Sequence, residues 1–151
     1  MNGERIIALE GQAKDREEAI RLCGKALCDA GVAQTAFAEG CVQREKEYPT
    51  GICSDVPVAI PHCQSDAIYE NGVCYLRLKE PVEFQRMDDD EETIMTRSIF
   101  NLAIKNGGDH LDFLQKMMGV VGDEDFMTQL EQADILSVPD MLEKRLAAVG
   151  E

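Results

Sequence analysis

No run of about 18 consecutive apolar residues occurs in this sequence, so nothing in it reads as a membrane-spanning helix. The amino-terminal stretch Met1-Asn2-Gly3-Glu4-Arg5 is polar, and only the short apolar segment Ile6 to Leu9 follows, which excludes a secretory leader from the reading. Cations are scarce: 15 Lys and Arg stand against 29 Asp and Glu, a formal net charge of −14. Such a surface repels nucleic acid and anionic lipid and favours a protein partner that carries a basic patch. Proline and glycine are few, at 5 and 12 positions, which argues against a disordered or fibrous chain. There is no Cys-x-x-Cys pair. The six cysteines, Cys23, Cys28, Cys41, Cys53, Cys63 and Cys74, stand at irregular intervals, the pattern of free thiols in a reducing cytoplasm rather than a disulfide framework.

Hydrophobic residues supply 44% of the 151 positions, enough to bury a core without staples, and residues 1–151 read as a single compact domain. Asp15-Arg16-Glu17-Glu18 resembles a capping box and opens a helix with Ile20, Cys23, Leu27 and Ala30 at helical spacing, closed by Gly31. A second helical stretch, Ala36 to Glu47, runs into the breaker Tyr48-Pro49-Thr50-Gly51. Val56 to Ile60 predicts a short extended segment with His62 just past its end. Asn71-Gly72 turns the chain into a strand, Val73 to Leu78, which Glu80-Pro81 is expected to end. Asp88 to Glu92 is a solvated acidic turn without the alternating ligands of a calcium loop. Ser98 to Ile104 predicts another strand; Asn106-Gly107-Gly108 breaks it, and Asp109 is placed to cap a helix whose Leu111/Leu114 stripe and Met117-Met118 pair read as core. Ser137-Val138-Pro139-Asp140 predicts the cap of a last helix with Leu142, Leu146 and Val149. Helices and strands interleave without repeats, which points to an α/β domain with a mixed β-sheet layered with α-helices.

Only two histidines occur. His62 follows Ala59-Ile60-Pro61, where the fixed φ of proline stiffens the approach and keeps Ile60 extended. A neutral imidazole so aimed keeps a lone pair for attack on phosphorus, although residue type alone leaves an ordinary loop histidine open. Arg44 reads either as part of a solvated helix face or as a guanidinium able to hold phosphoryl oxygens. Glu45 reads as a solvated carboxylate. Thr50 could bond a phosphoryl oxygen or merely satisfy its own turn. Zinc on Cys53, His62 and Cys63 fits no common ligand spacing, so neither a metal nor another cofactor is expected.

Arg44-Glu45, then Pro49-Thr50-Gly51-Ile52, then Val58-Ala59-Ile60-Pro61-His62 together resemble the signature of class-two enzyme IIA domains, the fructose/mannitol/galactitol class of sugar phosphotransferase systems. The resemblance continues through His110-Leu111-Asp112-Phe113-Leu114 and Asp123-Glu124-Asp125-Phe126 with Leu130, covering nearly the whole chain. It implies a cytoplasmic phosphocarrier in which His62 takes the phosphoryl group from the small carrier HPr. A cysteine of enzyme IIB then receives it, on the way to a sugar carried by membrane enzyme IIC. It also implies that His110 is a second active-site histidine and that Arg44, with Thr50 nearby, binds the phosphoryl group. Pro49 before Thr50-Gly51 resembles the galactitol branch. The same resemblance admits an alternative, a regulatory module whose phosphorylation reports sugar supply to a protein partner.

Overall fold

Two long strands at the centre of the molecule are buried on both faces, and the alternation of their side chains divides the protein into two cores. The computed structural model describes residues 5–105 and 110–149. In chain order its elements are β1 (Arg5–Gly11), α1 (Arg16–Asp29), α2 (Ala36–Glu47), β2 (Gly51–Ile52), β3 (Val58–Ala59), β4 (His62–Ser65), β5 (Gly72–Gln85), β6 (Thr93–Lys105), α3 (His110–Val121), α4 (Glu124–Gln132), a 3-10 turn (Ile135–Ser137) and α5 (Val138–Ala148).

Six strands form one sheet in the order β1-β5-β6-β3-β2, with β4 also paired to β6. β1 runs parallel to β5, and β5 and β6 form an antiparallel hairpin. β3 and β4 both lie parallel to β6, and β2 turns back antiparallel on β3. This is the mixed sheet expected from the sequence. Because successive side chains of a strand point to opposite faces, Cys74, Leu76 and Leu78 of β5 join Ile99 and Ala103 of β6 in a core with Ile20, Cys23, Leu27 and Phe37 of α1 and α2. Val73, Tyr75, Phe100 and Leu102 face the other way, onto Phe113, Met117, Met127, Leu130, Leu142 and Leu146 of α3, α4 and α5.

The first helix begins as its sequence predicts: the Asp15 carboxylate accepts the Glu18 N–H at 2.9 Å, and Glu18 reaches back to accept the Lys14 N–H at 3.0 Å. Gly31 follows with φ of 80°, the left-handed conformation that a glycine adopts without strain.

Four expectations change. Pro81 does not end a strand: β5 continues to Gln85, with its register against β6 shifting between Arg77 and Val82, an irregularity where a residue without an N–H is tolerated. Of Val56 to Ile60, only Val58 and Ala59 form a strand; His62 lies past its end, as expected, and also opens a further strand, β4, that the sequence reading did not include. Ser137 gives α5 no side-chain cap; its hydroxyl donates to the Asp134 carbonyl at 2.7 Å, and Asp134 instead caps the preceding 3-10 turn by accepting the Leu136 N–H at 3.0 Å. On α3 the buried residues are Phe113, Met117, Val120 and Val121, whereas Leu111 and Met118 are exposed. Met117, and Leu114 in part, face the core as expected, while Leu111 and Met118 lie on the other face of the helix, which also carries apolar residues. The Asn106 break and the Asp109 cap lie outside the described residues.

Candidate active site

The approach to His62 is built from a break between two short strands. β3 ends at Ala59, Ile60 and Pro61 carry the chain across, and β4 begins on the same neighbour, β6, with His62 opposite Leu102. The Pro61 carbonyl accepts the Leu102 N–H at 2.9 Å and the side-chain amide of Asn101 at 3.0 Å, which fixes the crossing point on the sheet. Asn101 is fully buried, and its own side-chain oxygen finds no partner among the described residues.

The His62 ring is half-buried, and its Nδ1 lies 2.7 Å from the Ile60 carbonyl oxygen. A carbonyl can only accept, so the proton of the neutral ring resides on Nδ1 and the lone pair on Nε2. Burial, followed by the positive charge of Arg44, pushes the imidazole below its ordinary 6.5, and the bond to Ile60 only partly opposes them. The ring is therefore neutral at physiological pH. Strand alternation sends Cys63 to the α1/α2 core and His62 to the opposite face, the one that α3 covers. His110 is the first residue of α3; its side chain lies outside the described residues.

Arg44 lies in the last turn of α2, exposed, with its guanidinium carbon 4.8 Å from the centre of the Tyr48 ring. Among the described residues it has no ion-pair partner. A cation–π contact at an exposed position is worth about 0.5–1 kcal/mol, less than the roughly 1.5–3 kcal/mol of a hydrogen bond to a charged group. An arriving phosphoryl group can draw the guanidinium off the ring.

Thr50 and Glu45 meet each other. The Glu45 carboxylate is 4% exposed and accepts both the N–H and the hydroxyl of Thr50, each at 2.8 Å. The expectation of a solvated Glu45 is thus corrected: helical phase turns it inward beside Cys41 and Val42 while its neighbours Arg44 and Lys46 face solvent. Thr50 is itself buried, and its hydroxyl proton is committed to Glu45. Burial raises the pKa of Glu45, and the two bonds from Thr50 oppose the rise.

Cys63 adjoins His62, and the neighbouring Cys41 thiol, with the cation of Arg44, lowers its pKa to about 7. Burial drives Cys41 in the opposite direction. Asn101 also donates to the Cys41 sulfur, at 3.4 Å. All six cysteines are unpaired. Among the described residues no three His, Cys, Asp or Glu side chains converge as a metal site would need, and Cys53 stands exposed. The buried Glu45 and the orphaned Asn101 are the site residues that sequence reasoning missed. An asparagine inside the apolar run Ile99-Phe100-Asn101-Leu102 was the available signal.

Residues 1–140 match the profile of the phosphoenolpyruvate-dependent sugar phosphotransferase system, EIIA 2. The chain belongs to this family. As an EIIA 2 protein it is similar to the mannitol-specific phosphotransferase enzyme IIA component of Enterococcus faecalis, 30% identical over 140 residues and 91% of each chain. It is also similar to the galactitol-specific EIIA component of Escherichia coli, 28% identical over 117 residues and 77% of each chain. Among solved structures, this EIIA 2 chain superposes with a TM-score of 0.72 on enzyme IIA of mannitol in its complex with phosphorylated enzyme IIB from Escherichia coli. That match is 27% identical and covers 97% of this chain and 96% of the other.

Proposed function

We propose that this EIIA 2 protein is a phosphoryl carrier that accepts the group on Nε2 of His62 from phospho-HPr and passes it to a cysteine of an enzyme IIB. The observation that carries the reading is the 2.7 Å bond from His62 Nδ1 to the Ile60 carbonyl, which leaves Nε2 as the nucleophile. In the first half-reaction the Nε2 lone pair attacks phosphorus, and the bond from phosphorus to the donor's imidazole nitrogen breaks, returning its electron pair to the donor. The ring becomes cationic on forming the phosphoramidate, and the Ile60 carbonyl, facing Nδ1–H, offsets that charge. In the second, a thiolate sulfur attacks phosphorus, the P–N bond breaks, and the pair returns to Nε2. Such transfer is chiefly alignment and charge compensation, so few side chains are needed.

Arg44 supplies the compensating cation for the phosphoryl oxygens, drawn from its rest position over Tyr48. Thr50 contributes by shaping the loop beside the acceptor, its lone pairs rather than its proton remaining uncommitted. His110, at the first position of α3, stands where helix N–H groups and the positive end of the dipole gather, a setting suited to an oriented donor toward an anion. The proposed location is the cytoplasm, and the proposed chain of transfer leads through enzyme IIB to a membrane enzyme IIC. Its end acceptor is a sugar alcohol; the Pro49-Thr50-Gly51 motif and the galactitol-specific relative favour galactitol.

The deciding experiment follows phosphate from labelled phosphoenolpyruvate through enzyme I and HPr to this protein, with peptide mapping. Label is expected on His62 as an acid-labile, base-stable phosphoramidate, and His62→Ala is expected to fold and stay unlabelled. Stoichiometric labelling of the folded variant would overturn the assignment.

A further inference from the structure

We propose that Glu45 is a positioning residue for the acceptor: its buried carboxylate clamps Thr50, Thr50 holds Ile60, and Ile60 keeps the His62 proton on Nδ1. This deepens the reading of His62 as the phosphoryl acceptor and rests on it.

Glu45 is the one buried carboxylate among the described residues. Taking a carboxylate out of water is costly, and the hydrogen bonds that offset that cost come from the Thr50 N–H and hydroxyl, both at 2.8 Å, with the more distant charges of Arg16 and Arg44 adding to them. The two bonds lock Thr50 at its donor side and leave its carbonyl turned to the strand that leads to His62. That carbonyl accepts the Ile60 N–H at 3.3 Å, one residue beyond the Gly51–Ala59 pairing. The next carbonyl in line, that of Ile60 itself, receives His62 Nδ1–H at 2.7 Å. Glu45 and the ring are therefore joined by three successive hydrogen-bonded links, Glu45 to Thr50, Thr50 to Ile60 and Ile60 to His62. The loop has no freedom on its other side: a Cβ at Gly51 would meet the Gln85 carbonyl oxygen at 2.6 Å, and the Gly51 carbonyl accepts the Met87 N–H at 2.8 Å.

A free neutral imidazole exchanges its proton between both nitrogens. If Nε2 carries it, the lone pair lies on the buried Nδ1, and attack from the open side is blocked. Holding the Ile60 carbonyl against Nδ1 removes that unproductive form, and among the described residues Glu45 is the α2 side chain hydrogen-bonded to Thr50. A purely structural Glu45 would affect folding stability without changing the ring.

The test measures two quantities on 15N-labelled protein: the tautomer of His62, by long-range proton–nitrogen NMR, and the rate of phosphoryl acceptance from phospho-HPr. In the native protein the ring is expected as the Nδ1–H form. Glu45→Leu, which removes both acceptors, should populate the Nε2–H form and slow acceptance about tenfold to a hundredfold, the range for a misplaced reacting group. Glu45→Gln should recover most of both, since its amide oxygen can accept the Thr50 N–H and its amide nitrogen can donate to the Thr50 hydroxyl. A folded Glu45→Leu with the native tautomer, or with the native acceptance rate, overturns the proposal. Should that variant fail to fold, Thr50→Val decides: it removes one of the two bonds at nearly constant volume, and an unchanged tautomer and rate there are equally fatal. Labelling of His62→Ala would overturn the acceptor assignment instead, while the tautomer measurement would still report on Glu45.

Discussion

Nδ1 of His62 donates to the carbonyl of Ile60, two residues earlier in the chain, so the backbone that delivers the ring to the sheet also selects which of its nitrogens faces outward. The contact that selects the tautomer is made by the backbone, not by a second side chain.

Burial holds the His62 ring below its ordinary 6.5, so acceptance should be flat at and above pH 7 and should fall as pH drops through the lowered value, when Nε2 takes a proton. Stability follows the same group. Unfolded His62 protonates first, so below about pH 6.5 the unfolded chain binds more protons, and stability is lost as pH falls toward the folded value. Glu45 has the opposite sign: its raised pKa means the folded state retains a proton that the unfolded one releases, so its contribution weakens as pH rises from the ordinary carboxylate value through the raised one. An NMR titration of the ring, run beside urea unfolding from pH 4 to 8, separates the two slopes; a His62 that titrates above 6.5 contradicts the geometry.

Removing the Arg44 cation should act on His62 and Cys63, two of the neighbours that feel it. In Arg44→Met the His62 and Cys63 pKa values are expected to rise, because the cation opposes the imidazolium and favours the thiolate. Transfer in both half-reactions should slow by about one to two orders of magnitude, the loss seen when an oriented charged donor is removed. Arg44→Lys keeps the charge but not the planar fork, so it should restore the pKa values more fully than the rate. Stopped transfer assays and thiol titration measure the two outcomes.

Cys63 should be the fastest of the six thiols to alkylate. Its pKa of about 7 leaves much of it as thiolate at neutral pH, whereas Cys23 and Cys41 are buried and raised. Iodoacetamide labelling followed by peptide mass spectrometry checks the order, and preferential labelling of a buried cysteine would contradict it. In Cys41→Ala the Cys63 thiol loses the neighbour that most lowers its pKa and should react more slowly at pH 7.

Transfer from the phosphorylated protein to purified enzyme IIB proteins of the galactitol, mannitol and fructose systems should be fastest with the galactitol partner. A clear preference for either of the others would reassign the sugar and leave the chemistry at His62 untouched.

The sheet class and the helices were legible because they depend on short-range periodicity: the Asp15 cap and the apolar spacing of Ile20, Cys23 and Leu27 lie within one helix. What escaped depended on distant parts of the chain. Pro81 reads as a stop until the shifted register with β6 gives a residue without an N–H a place. Glu45 reads as solvated because its charge is visible in the sequence and its inward phase, set by packing of α2 against β4, is not. At the site, Arg44, Thr50 and His62 stood out as a spaced pattern, but which of them touch had to come from the structure. Thr50 bonds Glu45, and Asn101 enters from β6, 40 residues away from Pro61 along the chain.

The pairing of β3 and β4 with β6 sets an order of assembly. The β5–β6 hairpin joins neighbouring strands, but until β6 exists β4 has no strand to run alongside and β3 has only the two-residue β2, although both precede β6 in the chain. Loop closure makes such non-local parallel pairings late events in folding. His62 lies at the start of β4, so the reactive nitrogen gains its orientation only once the later half of the sheet is in place. During synthesis, a nascent chain that ends before Thr93 can hold every motif residue from Arg44 to His62 and still lack the strand on which the acceptor is set.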